Sequence, residues 1–179
     1  MSYLFVGGRS GEGQDFEQAA EREQGLELVR GASQVQFQAR ALGVQLGETA
    51  PLADVRAAVL ALRRRKGMVV SPDDPDSVSA GSFFTNPVVE SAPEGAPSWP
   101  EAGGGVKVSA AWLIEQSGFT KGWGDGRAGL SSKHTLALVN RGGATTAELL
   151  GVARAVRDGV RTTFGITLVP EPVVVGSQA

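Results

Sequence analysis

The sequence predicts an α+β fold, with helices packed on one face of a small sheet. Two segments, 51–66 and 145–164, carry apolar residues three and four apart, as amphipathic helices do. Short strand-like runs stand between and after them, rich in β-branched residues at 88–89, 166–169 and 173–175 and with apolar residues at 136, 138 and 139 in 135–140. The connections between these pieces differ greatly in length.

The elements follow in chain order. Tyr3 to Val6 reads as a strand and GGRSGEGQDF as a loop. Residues 16–28 are rich in Gln and Glu, with weak helical spacing, and are not expected to build core. From Pro51 to Lys66, Leu52, Val55, Val59 and Leu62 form one apolar face. Gly67 ends that helix, and Arg63 to Lys66 sit where its macrodipole favours cations. Residues 68–80 read as a loop around PDDPD. Asn86-Pro87 turns the chain away from helix, and Val88-Val89 suggests a strand. Residues 92–105, with their prolines and glycines, read as an exposed loop.

Val106 to Val108 leads into a second helix, with Ser109 as N-cap and Gly118 as stop. Residues 119–133 read as a glycine-broken loop. Thr135 to Asn140 has the apolar spacing of a partly buried strand. Thr145-x-x-Glu148 is a capping box. Leu149, Val152, Val156, Val160 and Phe164 follow as a buried stripe, closed by Gly165. Ile166 to Val169 and Val173 to Val175 read as closing strands, separated by Pro170-Glu171-Pro172.

Composition narrows the function. With 41% hydrophobic and 20% charged residues the chain is of ordinary globular type. Cysteine is absent, so disulfides, thiolate nucleophiles and Cys-based zinc sites are excluded. A single histidine, His134, excludes a multi-His metal site within the chain. A net charge of −2 argues against a dedicated nucleic-acid binder. No apolar run reaches the ~18 residues of a membrane span. The N-terminal residues lack the basic and apolar regions of a signal peptide, so the expected compartment is the cytoplasm.

Few residues invite chemistry. Ser82 and Asn86, in GSFFTNP, offer a hydroxyl and an amide beside two aromatic rings. Serine next to glycine is ordinarily a turn residue, and paired phenylalanines are ordinarily core. The stretch is not a G-x-S-x-G elbow, and one histidine makes a hydrolase triad unpersuasive. Arg63 to Lys66 either bind phosphate or complement the helix dipole. Glu171, between two prolines, is either a turn residue or a carboxylate held by a restricted backbone. GWGDGRAG lacks the Gly-Lys-Ser/Thr of a P-loop.

Taken together, AGSFFTNPVV, AAWLIEQSGF, SSKHTLALVN and FGITLVPEPVVVG, in this order after the Arg/Lys-ended helix, resemble one family. It is the C-terminal part of UDP-N-acetylmuramate dehydrogenase, also called UDP-N-acetylenolpyruvoylglucosamine reductase. The resemblance runs from about residue 33 to 177, leaving 1–32 as a poorly matched segment beside the domain at 33–179. It implies NADPH-driven, FAD-dependent reduction of UDP-N-acetylglucosamine enolpyruvate in peptidoglycan synthesis. By motif, Ser82 matches the proton donor and Glu171 the glutamate that assists enolate formation. Lys66 and Asn86, and more remotely His134, match residues that hold the nucleotide-sugar.

The family's flavin domain should precede this region and is not recognised in residues 1–32. A partner flavin domain, in cis or in trans, is therefore implied, and tight flavin binding by this chain alone is not expected. Arg9 is the one residue there that resembles a relic of the family's catalytic arginine motif. Pro172-Val173 stands where many relatives place an arginine. The alternative reading is a UDP-sugar-binding module without catalysis.

Overall fold

A computed structural model describes residues 4–5, 26–27, 42–45 and 49–175. They fall into two compact units, one within residues 8–69 and the other made of residues 1–7 and 70–179.

The first unit pairs β2 (Leu26–Glu27) antiparallel with β3 (Thr49–Ala50). The helical spacing expected over 16–28 otherwise lies outside the described residues. Helix α1 (Leu52–Arg65) follows, within one residue of the expected span at each end. Pro51 stands at its N-cap, where a missing N–H costs nothing, and Val55 is its buried residue.

The second unit has two three-stranded antiparallel sheets. One runs in the order β4 (Ser79–Ser82), β9 (Ala137–Asn140), β8 (Ala128–Leu130). The other runs β5 (Val88–Val89), β7 (Val106–Val108), β6 (Ser98–Pro100). Strand β1 (Leu4–Phe5) pairs with β10 (Val173–Val174), so part of the first 32 residues joins this unit.

Helices α2 (Ala110–Gln116) and α3 (Thr146–Phe164) supply the cover. Ser109 caps α2 by accepting from the Trp112 N–H. The capping box of α3 forms as expected, with Thr145 and Glu148 each satisfying the other's backbone N–H. Val156 and Val160 are fully buried, joined by Ala153, while Leu149, Val152 and Phe164 flank them. Each buried valine contributes about 1.5–3 kcal/mol. They pack with Phe83, Phe84, Leu113, Ile114, Leu130, Leu138 and Leu168 into one core.

Four expectations need correction. The loop expected over 68–80 contains a short 3₁₀ turn, Pro75–Ser77, and gives way to strand at Ser79. The loop expected over 92–105 contains β6. Its Pro100 is tolerated because β6 is an edge strand, which needs no N–H on its outer side. The glycine-broken loop over 119–133 contains β8. Residues 166–169 form no regular strand. Alongside Phe83–Thr85 the chain makes one isolated bridge, Phe84 with Pro170, where Pro170 and Pro172 have no N–H with which to extend a ladder.

No helix among the described residues is long and apolar enough to cross a membrane.

Candidate functional site

Ser82 ends β4. Three residues of β4 advance against two of β9, because Ser79 pairs with Val139 and Ser82 with Ala137. That excess is a β-bulge, and Gly81 absorbs it at φ +80°, a conformation closed to most side chains. The glycine before Ser82 thus re-aims the strand. Leu138 joins the core beneath α3, so its neighbour Ala137, and Ser82 opposite, lie on the other face of the sheet. Ser82 is half-buried, and its hydroxyl makes no hydrogen bond among the described residues.

Two further candidates come to this end of the sheet. The Glu171 N–H donates to the Phe83 carbonyl at 2.9 Å, and the Thr85 N–H to the Val169 carbonyl at 3.0 Å. The Pro-Glu-Pro segment is therefore laid alongside the residue after Ser82, with the Glu171 side chain exposed. On the other side, the Phe83 N–H donates to the Leu136 carbonyl at 2.8 Å. The Ala137 N–H donates to the His134 carbonyl at 3.0 Å. His134 is thus the start of the turn that feeds Ser82's partner, and is half-buried.

Asn86 has a structural duty as well. Its Oδ1 accepts from the Ala110 N–H at 2.9 Å, satisfying a donor at the start of α2 that has no partner within the helix. Lys66 is the exposed C-cap of α1, in the first unit.

The structure adds residues that the sequence reading passed over. Asp76 is 8% exposed, and its Oδ2 accepts three hydrogen bonds, from Ser131 Oγ (3.0 Å), the Ser132 N–H (3.0 Å) and Ser132 Oγ (2.6 Å). Ser131 Oγ, fully buried, accepts in turn from the N–H groups of Lys133 (3.0 Å) and His134 (3.3 Å). Asp74 caps the 3₁₀ turn and takes a 2.7 Å ion pair from Lys133 Nζ. The hydrogen bond from Lys133 holds the Asp74 carboxyl below its ordinary range. PDDPD is therefore a clamp on SSKH rather than a solvated acidic loop. Its one sequence signal is the proline at 75, which favours a turn with Asp76 inside it.

On the far side of β8, Arg141 holds the glycine-rich loop. Its guanidinium donates to the carbonyls of Gly122 (2.9 Å), Gly124 and Gly126 (3.3 Å), and to those of Trp123 and Leu130. Gly129 must lack a Cβ, which would meet this guanidinium and stand 2.7 Å from the Trp123 carbonyl oxygen. Arg127 pairs with Glu148 at 2.9 Å. The Thr145 N–H first, then its hydroxyl and Arg127, draw the Glu148 carboxyl down to about 2.

An open groove of about 400 Å³ lies between β4, β9 and the start of α3. Val78, Phe83, Leu138 and Leu149 line it, and Ser82, Asn86, His134 and Glu171 do not.

Comparison with known proteins shows the family to which the chain belongs. Residues 73–175, more than half of the chain, match the family described as UDP-N-acetylenolpyruvoylglucosamine reductase, C-terminal domain. The chain belongs to this reductase family. A UDP-N-acetylenolpyruvoylglucosamine reductase of Thermobifida fusca is 59% identical, over 77% of this chain and 43% of the relative. That of Streptomyces avermitilis is 55% identical, over 78% and 43%. That of Mycolicibacterium gilvum is 50% identical, over 87% and 48%. The chain spans less than half the length of these curated relatives. Ser82, Asn86, His134 and Glu171 all fall inside the matched domain, and Lys66 precedes it.

The flavin implied by the reductase resemblance finds no fit in the glycine-rich loop. A dinucleotide's phosphates require backbone N–H groups turned toward them. Here the loop turns its carbonyl oxygens onto Arg141. The N–H groups of Gly122 and Trp123 are already given to the Ser131 and Thr120 carbonyls.

Proposed function

We propose that this chain supplies the nucleotide-sugar-binding and proton-donating half of a UDP-N-acetylenolpyruvoylglucosamine reductase, acting in peptidoglycan synthesis in the cytoplasm. A flavin domain, in cis or in trans and with FAD and NADPH bound, would supply the hydride. The chain's own residues hold UDP-N-acetylglucosamine enolpyruvate and manage one proton. The vinyl CH₂ carbon of the substrate gains the hydride and the adjacent carbon gains the proton, leaving a lactyl ether.

In this reading Ser82 donates that proton. A serine hydroxyl is a weak acid, so its proton moves only as the strongly basic enolate carbon accepts it. Glu171 assists the enolate, while Lys66, Asn86 and His134 hold the nucleotide-sugar. The observation that most supports the reading is the backbone bond from Glu171 to the carbonyl of Phe83, the residue after Ser82. It brings together two residues 89 positions apart that the family resemblance singles out independently. The Ser82 hydroxyl, with no hydrogen bond among the described residues, is available to a ligand.

The test is calorimetric titration of the chain with UDP-N-acetylglucosamine enolpyruvate, followed by NADPH oxidation with a separately supplied flavin domain. Ser82→Ala is expected to bind within about twofold of wild type and to turn over at least about a hundredfold more slowly, the usual share of a general acid. The chain alone is expected to purify colourless, and a stoichiometric flavin spectrum would overturn that part. Binding without turnover, even with the flavin domain, would leave a UDP-sugar-binding module. No binding would end the reading.

A further inference from the structure

We propose that Asp76 is a positioning residue for the nucleotide-sugar site, acting through Ser131 on the backbone that presents His134. The inference rests on the reading of His134 as a substrate contact.

The geometry is a relay. One oxygen of a nearly buried carboxylate takes the hydroxyl of Ser131 and both the N–H and hydroxyl of Ser132. A serine hydroxyl has one proton and two lone pairs. Because the Ser131 proton is committed to Asp76, its lone pairs are left for the N–H groups of Lys133 and His134. Four consecutive residues are thus tied to one carboxylate, directly or through one hydroxyl.

The carboxylate itself cannot drift. Its own backbone N–H is held by Asp74 Oδ1 at 3.2 Å, and Ser77 Oγ ties the turn to Ser71, accepting from the Ser71 N–H and donating to its carbonyl. Beyond His134 the segment is pinned again, by Thr135 Oγ1 on Glu115 Oε1 at 3.1 Å and by the strand pair of Ala137 with Ser82. Removing Asp76 would loosen the Ser131–His134 side of this turn, which keeps its backbone bonds to Ala137, while leaving the Ser82 end in its ladder. Among the described residues the hydrogen bonds onto the Asp76 side chain come from Ser131 and Ser132, and the Lys133 ammonium lies on Asp74. Its role is to fix conformation, not to contact the ligand.

The experiment titrates UDP-N-acetylglucosamine enolpyruvate into the full chain, as wild type and as Asp76→Ala, Asp76→Asn, Ser131→Ala, His134→Ala and the Asp76→Ala/His134→Ala pair. Amide exchange of residues 131–134 is followed by NMR in the same samples. Asp76→Ala, Ser131→Ala and His134→Ala are each expected to weaken binding about tenfold, the size of one well-placed charged hydrogen bond. The double variant should bind no more weakly than His134→Ala alone, because the two act through one contact. Asp76→Asn should recover most of the loss, its amide oxygen still accepting from the serines. Faster exchange at 131–134 with unchanged α3 exchange would mark the local loosening. Should Asp76→Ala not fold, Ser131→Ala breaks the same relay and carries the test. Wild-type binding by Asp76→Ala or Ser131→Ala, or losses that multiply in the pair, would overturn the proposal while leaving the proposed function standing. A wild-type chain that binds no UDP-sugar would instead sink the proposed function, and this inference with it.

Discussion

The two segments flanking β8 are held by charges of opposite sign, one buried and one exposed. On the Ser131 side, the Asp76 carboxylate gathers hydroxyl and N–H donors and is almost sealed from water. On the Gly122–Gly126 side, the Arg141 guanidinium gathers carbonyl oxygens at the surface. The difference lies in what each loss would leave behind. A buried donor stripped of its acceptor has no water to turn to, whereas an exposed carbonyl does. The buried arrangement therefore specifies a conformation tightly, and it is the one beside His134 and the Ser82 strand.

The largest test of this contrast is a pair of truncations read by urea unfolding. Asp76→Ala should cost about 3 kcal/mol, because Ser131 Oγ is left buried with its proton unmatched. Arg141→Ala should cost only about 1 kcal/mol, with water taking over the carbonyls. Equal losses would erase the distinction between the two sides.

Next in size is Gly129→Ala. Its methyl would meet the Arg141 guanidinium and the Trp123 carbonyl, and such overpacking costs about 2 kcal/mol. In an Arg141→Ala background the cost should shrink without vanishing, since the Trp123 backbone stays in place. An unchanged cost would mean that Arg141 does not press on Gly129.

The smallest effect concerns pH. Glu148 titrates at about 2 in the folded chain against an ordinary 4.5. A depressed carboxyl contributes stability that is fully present above about 4.5 and is lost as pH falls toward 2. Asp74, also lowered, adds to the same acid-side loss. Glu148→Gln should therefore flatten part of the stability decline below about pH 4.5 while changing little of the pH dependence near neutrality. A decline as steep as that of wild type would deny the capping box its charge.

Much of the fold was legible in the chain because its signals are local. The capping box at Thr145 and Glu148, the Ser109 cap, the Val88–Val89 strand and the core stripe of α3 depend on spacing within a turn or two, and each stands where the pattern implied. The strands at Ser98–Pro100 and Ala128–Leu130 were hidden by prolines and glycines that ordinarily mark loops. One is explained by an open sheet edge and the other by the approach of Arg141 from twelve residues away. Of the candidate site, Ser82, Asn86, His134 and Glu171 were named by motif resemblance. Asp76 was not, because nothing near it in sequence announces the serines 55 and 56 residues on that it holds.

By itself, then, the sequence determined the family of the chain, the helices and their caps, and the residue types available for chemistry, since these follow from composition and short-range order. Only the tertiary structure decided which of those residues meet. The bulge at Gly81, the backbone bond from Glu171 to Phe83 and the Asp76 clamp are long-range pairings, set by how strands register and by which polar groups must be satisfied once buried.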